Sequence, residues 1–299
     1  MSNVFNYFPD KLQKCLINEI DNSKKLEEIR IRVQKPIILK FSECEKILNV
    51  NVNNEEMLSI LQAICENSIY SYQKQISEGF VTIKGGHRVG ITGSCVIENN
   101  KVININYINS LNFRISKQII GCSEKILKYI LDKENSVVFN TLIVSPPGYG
   151  KTTILRDITR QVSNSGITVG VVDERGEIAN LYKGVPQNDI GIRTDVIENV
   201  SKDIGIKMLI RSMSPQVIVA DEIGSFEDIK TIDFAMRSGC KGIFSAHGAS
   251  LEDIYMNPVL KILIDNHTFE RLIFLNKKSL REIYYWDFNV LRYMKYDIC

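Results

Sequence analysis

An α/β protein is predicted, with a parallel-sheet domain over residues 121–299 and a smaller α+β domain over residues 1–120. Three observations carry that expectation. From about residue 120, short apolar runs alternate with helical patterns, as they do when strands are laid parallel by helical crossovers. One of those runs, Thr141-Leu142-Ile143-Val144, breaks into the loop Ser145-Pro146-Pro147-Gly148-Tyr149-Gly150 and delivers Lys151, Thr152 and Thr153 into a helical pattern. Before residue 120 the chain instead shows β-rich runs about a Gly-Gly turn and two helical stretches, which read as a small α+β domain.

In chain order, residues 10–25 space Leu12, Cys15, Leu16 and Ile20 as a helix does. Ile29-Arg30-Ile31-Arg32-Val33 alternates as a half-exposed strand, Lys35-Pro36 interrupts it, and Ile37-Ile38-Leu39 resumes extended structure. Residues 55–70 are expected to be helical, with Met57, Leu58, Ile60, Leu61 and Ile64 on one broad face. Lys84-Gly85-Gly86-His87 between two β-rich runs signals a hairpin, and Val102–Ile108 and Asn112–Ile115 offer two more strands. Arg30, Arg32, Arg88 and Arg114 read as a solvated basic face; the sharper alternative is that one of them reaches a bound phosphate. In the second domain a helix is expected near 122–132 and a strand over Val137–Val144. The helix after the loop buries Ile154, Leu155, Ile158 and Val162 and stops at Ser163-Asn164-Ser165-Gly166. Further strands are expected at Ile167–Val172, Val217–Ala220, Gly242–Ala246, Leu272–Leu275 and near Ile283–Trp286.

Composition narrows the function. With 44% hydrophobic and 24% charged residues, the 299-residue chain has ample apolar material for two cores. A net charge of +2 supplies no large basic field, so direct nucleic-acid binding is not expected. The seven cysteines (Cys15, Cys44, Cys65, Cys95, Cys122, Cys240, Cys299) are odd in number and form no C-x-x-C, so they read as reduced thiols without a zinc site. Met1 to Pro9 has neither the basic start nor the apolar core of a signal peptide. No apolar stretch approaches the ~20 residues a membrane span needs. A cytoplasmic protein is expected, peripheral to a membrane only through partners.

The loop carries the chemistry. Ser145 to Thr152 follows G-x-x-x-x-G-K-[ST] with serine in place of the first glycine. In that pattern backbone N–H groups at a helix N-terminus surround a polyphosphate. Lys151 would neutralise the β and γ phosphates, and the Thr152 hydroxyl would hold Mg²⁺. In an open α/β sheet the ligand sits at the carboxyl ends of the strands, and three other strand ends carry polar residues. Val172 runs into Asp173-Glu174-Arg175-Gly176-Glu177. Val217-Ile218-Val219-Ala220 runs into Asp221-Glu222, a Walker B pattern in which Asp221 holds Mg²⁺ and Glu222 orients or deprotonates the attacking water. Ile243-Phe244-Ser245-Ala246 runs into His247, which could read the γ-phosphate or the water. Phosphoryl transfer also draws on an arginine in cis or trans, for which Arg193, Arg211 and Arg237 are candidates, with Arg193 placed first.

Together, Ser145–Thr153, Asp173–Ile178, Val217–Glu222 and Ala246-His247-Gly248 resemble the Walker A, Asp, Walker B and His boxes of the secretion-type ATPases. Leu26-Glu27-Glu28-Ile29-Arg30, the stretch Gly79 to Gly90, Gly191-Ile192-Arg193-Thr194-Asp195-Val196 and Arg211 to Gln216 resemble the stage III sporulation protein AA family within that superfamily. The resemblance implies a RecA-like P-loop ATPase domain, ATP and Mg²⁺ as ligands, and a ring oligomer of hexameric type. It also implies membrane proteins of a sporulation channel as partners, with Glu174 and His247 in accessory catalytic roles. An AAA+ assignment is expected on the same ground. Three alternatives share the loop. A GTPase would need an N-K-x-D element, where the chain offers only Asn276-Lys277-Lys278-Ser279. A nucleic-acid-directed motor would be stimulated by single-stranded DNA. A regulatory or scaffold protein would bind nucleotide without turnover.

Overall fold

Alternating burial governs the first part of the chain in the computed structural model, which describes residues 2–20, 25–132, 134–276 and 279–296. Strands β1 (Leu26–Arg32), β2 (Pro36–Phe41), β3 (Glu45–Asn51), β4 (Phe80–Ile83), β5 (His87–Glu98) and β6 (Lys101–Arg114) form one antiparallel sheet in the order β3-β2-β1-β6-β5-β4. Ile29, Ile31, Ile37, Leu39 and Phe113 from the sheet join one buried cluster with Leu12 and Leu16 of α1 (Asp10–Asn18). Met57, Ile60, Leu61 and Ile64 of α2 (Asn54–Ile64) complete it. A capping box starts α2: the Asn53 side chain accepts from Glu56 N–H, and the Glu56 carboxylate accepts from Asn53 N–H.

Several boundaries differ from the sequence reading. Helix α2 stops at Ile64 rather than near 70, because Glu66 and Asn67 adopt left-handed conformations. The two expected strands Val102–Ile108 and Asn112–Ile115 are one strand, β6. The polar Asn109-Ser110 step looked like a break, but β6 lies between β1 and β5, so its backbone pairs on both sides whatever the side chains. Strand β3 escaped notice because five of its seven residues are exposed. Asn99 and Asn100, with φ of 49° and 58°, make the two-residue turn from β5 to β6. Of the four arginines, Arg30 pairs with Glu28 at 2.7 Å, Arg114 faces both Glu28 and Arg88 across the sheet, and Arg88 lies over the Phe80 ring.

His87, at the end of the Gly-Gly turn, is buried and accepts the Ser116 N–H at Nδ1 (3.0 Å). Burial drives its pKa down to about 4. The unfolded chain therefore binds this proton more readily, so the contribution is complete above pH ~6.5 and is lost as pH falls toward 4. It is on the order of 3 kcal/mol. Urea midpoints between pH 7 and 4.5 are expected to fall more for wild type than for His87→Gln; equal pH sensitivity would contradict the assignment.

The second part of the chain alternates helix and strand. Strands β7 (Thr141–Ser145), β8 (Val169–Asp173), β9 (Thr194–Glu198), β10 (Val217–Ala220), β11 (Lys241–His247) and β12 (Arg271–Asn276) are parallel. The hairpin strands β13 (Ser279–Asp287) and β14 (Arg292–Lys295) add antiparallel, giving the order β9-β8-β10-β11-β7-β12-β13-β14. Helices α3 (Glu124–Ile130), α4 (Lys151–Asn164), α5 (Lys202–Met213) and α6 (Phe226–Arg237) cover the sheet with apolar residues, and two separate buried clusters result. Val137–Val138 pairs with Leu131–Asp132 instead of extending β7. Strand β9 was not foreseen: as an edge strand it is half-exposed and carries Asp195 and Glu198. Just before it, Gly191 (φ 88°) passes so close to α4 that a Cβ would lie 2.5 Å from Ser163 Cβ, which explains glycine in the Gly191–Val196 motif.

Two units result, and the division is not contiguous. One comprises residues 1–117 with Tyr182–Gln187, the other residues 118–181 with 188–299. The Tyr182–Gln187 excursion joins the first unit through Lys183 and Tyr182 on Glu66, and through Gln187, which accepts the Gly85 N–H at 2.7 Å. Lys277, Lys278 and Cys299, noted above, lie outside the described residues.

Candidate active site

Strand β7 is buried along its whole length and ends at Ser145; six residues later α4 begins at Lys151. Gly148 and Gly150 hold φ of 78° and 86°, a conformation that would strain any residue with a Cβ. The turn so made leaves the first N–H groups of α4 without partners inside the helix. Ser145 is not in the left-handed region, and its hydroxyl donates to the Pro146 carbonyl at 3.0 Å. Glycine's freedom is therefore not needed at the first loop position. The Lys151 side chain is buried, which depresses its pKa, while Asp221 and Glu222 oppose that shift.

Parallel register brings the other strand ends to the same edge. His247 pairs with Ser145, Ala220 with Phe244, and Val172 with Ala220. The Thr152 hydroxyl donates to Asp221 Oδ2 at 2.5 Å. Ser245, fully buried on β11, donates to Asp221 Oδ1 and accepts the Glu222 N–H at 2.9 Å. It thus fixes the Asp221 carboxylate and the left-handed backbone of Glu222 (φ 55°) together. From Lys151 Nζ the contacts run to His247 Nδ1 (3.4 Å), from His247 Nε2 to Glu222 Oε1 (3.2 Å), and from Glu222 Oε2 to Arg175 Nη1 (2.6 Å). Ser245→Ala leaves buried polar groups short of a partner. It is expected to cost about 1–3 kcal/mol of stability. Urea titration checks this, and a midpoint equal to wild type would refute it.

The sequence places Asp173, Glu174 and Glu177 together after one strand, and in the structure Asp173 and Glu174 meet different partners. Asp173 is buried and accepts backbone N–H groups from Glu177, Ile178 and Ala179, so it clamps the loop after β8. Arg156 of α4 braces the same loop by donating to the Glu177 and Ile178 carbonyls. Glu174 pairs with Lys202 at 2.6 Å and touches neither Lys151 nor Thr152 by any hydrogen bond or ion pair described. It lines a cavity of about 50 Å³ with Arg175, Lys202, Asp221 and Glu222. Arg193 is not brought to the site within this chain. It immediately precedes β9, at the edge opposite the loop, and its N–H donates to Ser163 Oγ. Arg211 and Arg237 likewise sit ahead of β10 and β11, and Arg237 pairs with Asp233. Ser245, Arg175 and Lys202 were missed as site residues.

The family model for sporulation stage III, protein AA matches residues 1–284. The chain belongs to that family. It is 37% identical over 303 residues to stage III sporulation protein AA of Bacillus subtilis (strain 168), covering 97% of each chain. Among solved structures it is similar to the ATPase DotB of Legionella pneumophila (TM-score 0.58, 17% identity, 89% of this chain and 78% of that one). It is also similar to the pilus retraction motor PilT with bound ADP (TM-score 0.53, 14% identity, 83% and 73%). At these identities the likeness concerns the fold: this sporulation stage III protein has the P-loop fold of secretion ATPases. That class differs from AAA+, and the AAA+ expectation is corrected accordingly.

Whether this stage III sporulation protein AA family member can hold magnesium is testable on its donors. Among the described residues, no group of three or more His, Cys, Asp or Glu is arranged to hold a metal ion. Thr152 and Asp221 instead offer one hydroxyl and one carboxylate side by side. That donor set suits a cation that keeps water and takes its remaining oxygens from a nucleotide. No described helix is long and apolar enough to cross a membrane.

Proposed function

We propose that this protein hydrolyses ATP and works as a ring-forming motor, of hexameric type, for a sporulation channel. The observation that carries the reading is the 2.5 Å contact between Thr152 and Asp221, residues 69 apart in sequence on different elements. It supports magnesium-nucleotide binding at the junction of loop and sheet. Lys151 and the N–H groups around Gly148, Tyr149, Gly150, Thr152 and Thr153 bind the phosphates, and Thr152 and Asp221 would hold a magnesium ion, which would supply neutralisation of the phosphate charge when bound. Glu222 orients the water and takes its proton as the water oxygen bonds to the γ-phosphorus. The bond from the γ-phosphorus to the bridging oxygen breaks with its electron pair left on ADP, and phosphate is the second product. His247, between Lys151 and Glu222, holds the two halves of the site in register. A place at the cytoplasmic face of a membrane, through membrane-protein partners, fits a chain that belongs to a sporulation family and shares a secretion-ATPase fold. Steady-state phosphate release, with oligomeric state followed by light scattering with ATP, with ADP and without nucleotide, tests the proposal. Magnesium-dependent turnover and a nucleotide-dependent ring are expected. A monomer under all three conditions would defeat the ring, and absence of phosphate release would defeat the enzyme.

A further inference from the structure

Phosphoryl transfer places negative charge on the oxygens of the moving group, and a guanidinium matches that charge with a planar fork of donors. In the second unit, Arg193, Arg211 and Arg237 stand ahead of their strands, at the edge away from the loop. Arg156 donates to the Glu177 and Ile178 carbonyls, Arg160 is held by Asp157, and Arg271 lies over the Phe139 ring. Arg175 is different. It follows β8 by two residues and lies at the carboxyl edge of the sheet. It touches the Glu222 carboxylate at 2.6 Å, and its side chain is 67% exposed.

The geometry points to Arg175 as the arginine that meets the terminal phosphate of the nucleotide bound in its own chain, with the Glu222 carboxylate as its resting partner. Resting on the ATPase reading, this inference adds a specificity-determining group that distinguishes a triphosphate from a diphosphate. The contact path Arg175–Glu222–His247–Lys151 places the guanidinium two side chains from the lysine ammonium. A terminal phosphate carries more charge than one carboxylate and offers three oxygens, so it competes for the guanidinium. Moving Arg175 onto phosphate frees Glu222 to accept the proton of the water. One residue then couples recognition of the triphosphate to release of the base. Burial of Asp173 beneath the loop keeps the backbone at Glu174-Arg175 in place during that exchange.

Full-length wild type, Arg175→Ala and Arg175→Lys are compared by steady-state ATPase assay, and by equilibrium binding of a non-hydrolysable ATP analogue and of ADP. Binding is repeated in the Glu222→Gln background, where a role exercised only through the Glu222 carboxylate disappears. Arg175→Ala is expected to lower kcat by a factor on the order of 10³, to leave ADP affinity within about twofold, and to erase the preference for the triphosphate in both backgrounds. Arg175→Lys should recover only part, because an ammonium lacks the fork. Wild-type kcat in Arg175→Ala, or an undiminished triphosphate preference in Arg175→Ala/Glu222→Gln, would overturn the inference while leaving the ATPase reading intact. Failure of wild type to bind either nucleotide would overturn both.

Discussion

Glu222→Gln is expected to stop turnover while the protein still binds nucleotide. The substitution preserves size and one acceptor oxygen, so the contact from His247 Nε2 can persist. It removes the negative charge that faces Arg175 and the proton-accepting oxygen. A positioned base is worth roughly 10²–10⁴ in rate, and kcat should fall by that factor with ADP affinity unchanged. Phosphate release and equilibrium binding on the same preparation decide it. Loss of binding together with rate would indicate that Glu222 builds the pocket instead. The left-handed backbone at Glu222 (φ 55°), held by Ser245 Oγ, shows how firmly this carboxylate is aimed. Such a conformation costs of order 1–3 kcal/mol and persists where surrounding structure enforces it.

Asp173→Ala should act through stability. The carboxylate is buried and collects the N–H groups of Glu177, Ile178 and Ala179 within 3.1 Å. Truncation leaves these donors without an acceptor in a place water does not reach, at about 1–3 kcal/mol each. Relaxation of the loop reduces the sum, so a loss of about 3–5 kcal/mol is expected, a large share of ordinary domain stability. Asp173→Asn, which keeps one acceptor oxygen, should lose less. Urea unfolding provides the test: an Asp173→Ala midpoint equal to wild type would show that the clamp carries no weight. Its contrast with Glu222→Gln is informative, since one change spares stability and the other spares the groups that contact nucleotide.

The correct edge of the sheet was legible for three of the boxes because each is contiguous in sequence and follows a recognisable apolar strand. Ala220-Asp221-Glu222 and Ala246-His247 are of this kind, as is the loop after Val144. The arginines' place at the opposite edge of the sheet was harder to read for a related reason. Val217 and Gly242 were recognised as strand starts, so Arg211 and Arg237, which precede them, already belonged to the far edge. Arg193 needed β9 to be recognised, and Asp195 and Glu198 concealed that strand. Arg175 was in view within the acidic box, but proximity in sequence to carboxylates said nothing about which one it would meet. In the first unit, the continuous strand β6 was hidden by Asn109-Ser110, where ladder pairing on both sides overrides side-chain polarity.

By itself the sequence determined the strand–loop–helix turn from Ser145 to Lys151, the Asp221-Glu222 pair at a strand end, the family and the α/β class, because each depends on residues close together along the chain or on their periodicity. Only the tertiary structure decided that Asp173 holds backbone, that Ser245 ties Asp221 to Glu222, and that Arg175 faces Glu222. Those choices rest on contacts between neighbouring parallel strands and the loops that follow them. Such strands lie about 4.8 Å apart in space but are separated by whole helices in sequence, and it is the order β8-β10-β11-β7 that brings these four loops to one edge.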